Sequence, residues 1–299
     1  MQLTFLGTSC MVPTKQRNVS GVFLSYKTEG ILFDCGEGTQ RQMNIAGIKR
    51  TKVTKVLISH WHGDHVSGLV GLIQTMGNDD TPPTLEIFGP KGTEKHMEHL
   101  MKMCVFESRV NLKIYEIDVD GVEKVFEDKN FIIEAAPLKH TSQCVGYSFI
   151  EKDRRKIDMN YLAKMGVPEG KHLQDLHKGK SIKWKGKDVD VDKATKVIGG
   201  KKISYVMDTA ICDTAIELAR DADVLICECA YSSRFSEKAK LYKHLTSKQA
   251  ATIAKEADAD QLYLTHFSQR FKDTDEIEED AKSVFENSVA ARDFMKVRL

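Results

Sequence analysis

The chain is poor in the residues that break or staple structure, with six prolines and no CxxC pair among 299 residues. It has no internal repeat and no low-complexity tract, so a solenoid or a disordered tail is not expected. No apolar run approaches the roughly 20 residues a membrane-spanning helix needs. The start, Met1 to Lys15, lacks both a basic opening and an apolar stretch of signal-peptide length, and a cytoplasmic protein is expected. The seven cysteines (Cys10, Cys35, Cys104, Cys144, Cys212, Cys227 and Cys229) are odd in number and suggest neither a zinc ribbon nor a disulfide framework. Free thiols in a reducing compartment are expected instead.

Net charge is also nearly absent, at +1, which by itself would disfavour a nucleic-acid ligand. The distribution reverses that inference. Residues 151–202 hold fifteen Lys or Arg against eight Asp or Glu, leaving twenty-nine against thirty-five elsewhere. One basic segment on an otherwise acidic body is a patch able to bind phosphate.

What is present is ordinary globular composition, 41% hydrophobic and 29% charged, enough for one large α/β domain or two modest ones. Short β-branched runs alternate with amphipathic stretches. Strands are expected at Leu3–Leu6, Gly21–Ser25, Ile31–Asp34, Lys55–Ser59, Ile132–Ala136, Cys144–Glu151, Lys202–Met207, Val224–Glu228 and Gln261–Thr265. Helices are expected at Thr39–Ala46, Val66–Met76, Thr214–Arg220, Thr246–Ala257 and Asp275–Asn287, with further strand and helix alternations over Thr84–Met103 and Asn111–Phe131. Helices outside mixed sheets give layered α/β packing.

Candidate metal ligands fall just after the expected strands, at His60, His140, Asp208 and His266. Strand ends that converge on one rim hold ligands on rigid supports. The run His60-Trp61-His62-Gly63-Asp64-His65 packs four potential ligands into six residues. Imidazole with carboxylate suits Zn2+, whereas Mg2+ or Ca2+ favours oxygen alone. His60 and His62 on an extended turn can hold one metal, and Asp64 and His65 can turn toward a second, with Gly63 permitting the change of direction. By contrast, His96 and His99 lie in a helical stretch without useful carboxylate partners and read as solvated or packing residues.

HxHxDH resembles the signature of the metallo-β-lactamase superfamily, and Asp34-Cys35-Gly36-Glu37-Gly38 resembles its first motif, in which an aspartate braces the metal loop. The resemblance implies a four-layer αββα sandwich holding two Zn2+, although these donors also suit Mn2+. One metal would take His60, His62, His140 and Asp208, and the other Asp64, His65, His266 and again Asp208. Narrower motifs are similar to those of the ribonuclease Z family. These are PxKxRN at Pro13–Asn18, the first motif extended over Phe33–Gln42, and Thr265-His266-Phe267-Ser268-Gln269-Arg270. The likeness runs from about residue 1 to 290. Two departures stand out: Cys227-Glu228-Cys229-Ala230 replaces His-Glu-Ala-Thr, and His244-Leu245-Thr246 replaces His-Ser-Thr.

That resemblance implies one metallo-β-lactamase domain over residues 1–299, interrupted at 151–202 by an arm that grips the elbow of a tRNA precursor. Arg154, Arg155, Lys178, Lys180, Lys183 and Lys185 would contact the substrate there, and Lys15, Arg17 and Asn18 near the cut. It further implies a homodimer and cleavage 3′ of the discriminator nucleotide, leaving a tRNA 3′-OH and a 5′-phosphate trailer. Asp64 would serve the attacking water, and His244, held by Glu228, would protonate the leaving oxygen. A zinc hydrolase of a small phosphodiester or thioester, and a non-catalytic RNA-binding subunit, are the rival readings. The basic arm and PxKxRN weigh against the first, and the intact ligand set against the second.

Overall fold

A computed structural model describes all 299 residues, which divide into two compact units. The larger comprises Met1–Phe126, Ile133–Phe149 and Lys202–Leu299; the smaller comprises Glu127–Ile132 and Ile150–Lys201.

Two seven-stranded sheets organise the larger unit. The first runs, edge to edge, Lys296–Arg298, Gln2–Gly7, Gly21–Tyr26, Glu29–Phe33, Lys55–Leu57, Thr84–Pro90 and Asn111–Ile117. The hairpin half is antiparallel and the half fed by crossover helices is parallel, because parallel neighbours need a long connection between them. The second sheet runs Ser288–Ala290, Leu262–Thr265, Val224–Glu228, Lys202–Val206, Gln143–Glu151, Phe131–Lys139 and Glu123–Glu127.

Aromatic pairs link the two sheets. Phe33 meets Tyr205 with centroids 5.1 Å apart, and Tyr26 meets Phe149 at 5.1 Å edge-on. On the outer face of the first sheet, Met43, Leu69, Leu72, Ile73, Met76 and Met97 of three helices pack on Leu32, Val56 and Ile87. On the outer face of the second, Ala215, Leu218, Ala250, Ile253, Ala254 and Ile277 pack on Val206, Leu225 and Leu264. Helix, sheet, sheet, helix is the expected four-layer order.

Local signals explain several boundaries. The helix Thr39–Ala46 ends at Gly47, whose φ of 74° suits a glycine cap. Thr246 caps Ser247–Glu256 through a reciprocal box with Gln249. Other expectations need correction. The helix expected over Val66–Met76 is two pieces, Gly63–Val66 and Leu69–Met76. Between them Gly68 lies so close to the first motif that a Cβ would sit 2.2 Å from the Gly36 carbonyl oxygen. No helix follows Asn111–Ile117; Glu123–Glu127 is an edge strand, and Asp128 turns the chain by accepting from Asn130 N and Phe131 N. The last helix stops at Lys282, and the helix Ser236–Tyr242 was not anticipated.

The smaller unit is folded rather than a bare loop. Arg154–Ile157 pairs with Thr195–Ile198, and Ile182–Trp184 with Lys187–Val189. Leu162, Val167, Leu173, Leu176, Val189 and Ala194 form a core of its own. No helix of the chain is long and apolar enough to cross a membrane.

Candidate metal centre

Five loops at the ends of strands build the site. Lys55–Leu57 leads into His60–His65, Phe131–Lys139 into His140, Lys202–Val206 into Asp208, Val224–Glu228 ends on Glu228, and Leu262–Thr265 leads into His266. Two of these turns, and the turn after Glu29–Phe33, force a non-glycine residue to positive φ. Asp34 sits at 54°, Asp208 at 46° and His266 at 62°. Such backbones cost on the order of 1 kcal/mol or more each, and the strain is concentrated where side chains must converge.

The convergence is tight. His60 Nε2 lies 2.9 Å from His62 Nδ1, which lies 3.3 Å from His140 Nε2. Asp208 Oδ2 is 3.5 Å from His60 Nε2 and 3.7 Å from His140 Nε2. In a second group, His65 Nε2 is 3.2 Å from His266 Nε2 and 3.5 Å from Asp64 Oδ2. Asp208 belongs to this group too, with Oδ2 3.6 Å from His65 Nε2 and Oδ1 3.1 Å from His266 Nδ1. The site therefore consists of two donor groups sharing one carboxylate. All seven residues named from the sequence as ligands are brought together.

The donors fit divalent cations. A cation about 2.0–2.1 Å from each of four ligands separates them by roughly 3.3 Å, the spacing seen here. Asp208 Oδ1 and His266 Nδ1 face each other yet are not aligned for a hydrogen bond, so both are buried polar atoms without a partner. Such atoms are costly unless something else satisfies them.

Neighbouring groups fix which ring nitrogen is bare. Asp34, fully buried, accepts from His65 Nδ1 at 2.8 Å, Ser59 N at 2.7 Å, Ser59 Oγ at 2.8 Å and Tyr205 OH at 2.8 Å. His140 Nδ1 donates to the Lys243 carbonyl at 3.2 Å, and Lys243 Nζ donates back to the His140 carbonyl at 3.0 Å. Partners of this kind orient imidazoles for ligation.

The electrostatics show a site that demands positive charge. Burial disfavours a charged His65, but Asp208 and Asp34 outweigh it and push its pKa up to about 10. His266 rises well above the ordinary value, again because Asp208 overcomes burial. Burial would raise Asp64 and Asp208, yet the surrounding histidines hold both well below the usual carboxylate range. His60 goes the other way, to about 2, since burial and then His65 both oppose its charge.

Beside the donors, Glu228 is fully buried and accepts from His244 Nδ1 at 3.0 Å and Thr209 N at 2.8 Å. Burial would lower His244, but Glu228 and Asp208 prevail and hold it protonated up to about 9. His62, Asp64, His140, Asp208, His244 and His266 all line one cavity of about 960 Å³.

Other residues singled out from the sequence are placed less uniformly. Lys15 is exposed. Arg17 is instead buried, with Nη2 on the Phe271 carbonyl, and the Asn18 side chain donates to the Glu37 carbonyl at 2.8 Å. Both hold their loop in place. In the smaller unit Arg154, Lys178, Lys180, Lys183 and Lys185 are exposed, whereas Arg155 Nη1 is committed to Asp192 and Thr195 at 2.9 Å each. His96 stacks on Trp61 at 4.8 Å, a packing role.

Sequence reasoning missed Ser59, Tyr205, Lys243, Met11 and Arg270. Met11 N donates to Asp64 Oδ2 at 2.7 Å. Arg270 lies on the cavity wall over Tyr231 and Phe235, at 5.1 and 5.0 Å, with Nε on Ser268 Oγ. Arg270 and Ser268 stand in the quoted C-terminal motif, which was the available signal; Tyr205 and Lys243 carried none.

Comparison with known proteins agrees with this geometry. Residues 1–159 match the family model described as Anti-Pycsar protein Apyc1, a span that includes HWHGDH and His140 but stops before Asp208, Glu228, His244 and His266. A ribonuclease Z of Picosynechococcus is 39% identical, over 99% of this chain and 95% of its own length. The crystal structure of human tRNase Z, short form, superposes with a TM-score of 0.74 at 27% identity, covering 100% of this chain and 99% of that one. The metallo-β-lactamase fold protein YhfI from Bacillus subtilis superposes at 0.70 with 20% identity, over 99% of this chain and 98% of its own, and shares the fold. With two sheets, a donor cluster on strand ends and full-length likeness at this level, the chain belongs to the ribonuclease Z family of metallo-β-lactamase-fold endoribonucleases.

Proposed function

We propose that the protein cuts tRNA precursors 3′ of the discriminator nucleotide, using two Zn2+ ions per subunit. The observation that carries this reading is the pair of donor groups sharing Asp208, in a chain similar along its whole length to ribonuclease Z. His60, His62, His140 and Asp208 would hold one ion, and Asp64, His65, His266 and Asp208 the other. When bound, such ions lower the pKa of a water and neutralise charge building up on a phosphodiester.

The chain's own groups supply the rest. Asp64, its Oδ2 fixed by Met11 N–H, orients the attacking water and takes its proton. Glu228 and Asp208 raise the pKa of His244 above the ordinary value, and the ring is 12% exposed on the cavity side, so it can give a proton to the departing 3′ oxygen. Glu228 keeps that imidazole in place and stabilises its charged form. The products are a tRNA ending in 3′-OH and a trailer with a 5′-phosphate.

Lys15 meets the RNA near the cut. Exposed Arg154, Lys178, Lys180, Lys183 and Lys185 of the smaller unit bind phosphates, positioning the substrate without reading its bases. The working form is a cytoplasmic homodimer. A labelled tRNA precursor, assayed with and without chelator and after Zn2+ is restored, tests the whole. The expected result is one cut at the 3′ end of the discriminator, lost with metal and regained with it. Cleavage that persists in chelator, or by an Asp64→Ala variant that folds, refutes the reading.

A further inference from the structure

The loop that follows the first strand makes two kinds of contact. Its tip presents Met11 N–H to Asp64 Oδ2, with Met11 at a φ of 62° and 76% exposed. A left-handed methionine without burial contributes nothing to packing, so this backbone conformation has to be imposed by the rest of the loop. The two ends of the loop are drawn together by one carboxylate from the far end of the chain. Asp293 Oδ1 accepts from Thr8 Oγ1 at 2.9 Å, and Oδ2 accepts from Asn18 N at 2.7 Å. Gln42 Nε2 donates to the same Oδ2 at 2.9 Å and to the Leu6 carbonyl at 2.8 Å. Ser9 N donates to the Asn18 carbonyl at 2.8 Å, completing the closure.

We propose that Asp293 is a positioning residue for the cleavage reaction: it staples the base of the loop spanning residues 9–17 and thereby keeps the Met11 N–H on Asp64. Three separate donors converge on this carboxylate, two of them flanking the loop and the third from the helix Thr39–Ala46. Arg17 secures the flank of the same loop on the Phe271 carbonyl, beyond the strand end that carries His266. The loop is thus tied at its base, at one side, and by the pairing of Ser9–Cys10 with Phe267–Ser268. Its tip is left to hold Asp64 in the rotamer that serves the reaction. Asp293 itself lines no part of the cavity and acts only through the loop.

The kinetic part of this inference rests on the proposed role of Asp64; the loop closure does not. Asp293→Asn in the full chain is therefore read in two ways. Deuterium uptake by the metal-free protein should rise about tenfold over residues 9–18 and stay unchanged in the two sheets, since only a local closure is lost. With Zn2+ restored, kcat on bis(p-nitrophenyl) phosphate should fall about tenfold at unchanged KM, the mark of a misplaced reacting group. Thr8→Val removes one donor and should move both readouts in the same direction by less. Should Asp293→Asn not fold, this variant carries the test. Unchanged protection of residues 9–18 in a folded variant overturns the staple. A loosened loop with unchanged kcat overturns the link to Asp64 while leaving the staple standing.

Discussion

Replacing Asp34 by asparagine removes one charge and little volume from the floor of the donor cluster. The carboxylate has four donors and no solvent. An asparagine offers one oxygen. Its best placement keeps that oxygen toward Ser59 Oγ, His65 Nδ1 and Tyr205 OH and turns the amide nitrogen against Ser59 N. One buried N–H then loses its acceptor, at a cost of about 1–3 kcal/mol, and three bonds fall from charge-assisted to neutral strength, at very roughly 1 kcal/mol each. The sum, about 4–6 kcal/mol, is comparable with the whole stability of many domains, so the variant should unfold at much lower urea. His65 also loses the partner that pins its Nδ1–H, so Zn2+ affinity by chelator competition should drop about 10–100-fold. Urea unfolding of the metal-free protein and zinc competition measure the two effects separately. A folded Asp34→Asn variant with unchanged midpoint and unchanged zinc affinity would show that the brace has been misread.

Three further outcomes are expected. Lys55 is 5% exposed between Glu29 at 3.0 Å and Glu86 at 2.9 Å, and Lys55→Met should destabilise by about 3–5 kcal/mol in denaturant titration because two carboxylates lose their counter-charge. Burial pushes Asp293 from 3.8 up to about 6, against the pull of Asn18, Thr8 and Arg17. Its folded form therefore takes a proton before the unfolded chain does, so the wild type should lose stability relative to Asp293→Asn as pH rises from about 4 through 6. Melting both proteins across that window reads the slope, and parallel curves would contradict it. Arg270→Lys keeps the charge but gives up the planar stack on Tyr231 and Phe235. It should raise KM for a tRNA precursor about tenfold and leave bis(p-nitrophenyl) phosphate nearly unaffected.

Much of the centre was legible because its donors are close in sequence or stand directly after strands. His60 to His65 announce themselves by composition, and His140 and His266 follow strand-like runs whose direction delivers them to one rim. The helix Thr39–Ala46 and the helix starting at Thr246 were equally visible, since caps and periodicity are local. Glu123–Glu127 was not, because a five-residue edge strand has too few positions to separate a period of 2 from one of 3.6.

The chain's order of residues therefore determined the chemistry on offer: which donors exist, on which strand ends, and with a basic segment between His140 and Asp208. Tertiary structure alone decided who meets whom. That Asp208 faces both donor groups, that Tyr205 reaches Asp34 and that Asp293 closes a loop 275 residues away at Asn18 are facts of long-range register. So is the commitment of the Arg17 and Asn18 side chains to the Phe271 and Glu37 carbonyls, which claim groups that the sequence left facing the substrate. A hydrogen-bond partner is chosen by distance and angle in the folded chain, and neither is written in local pattern.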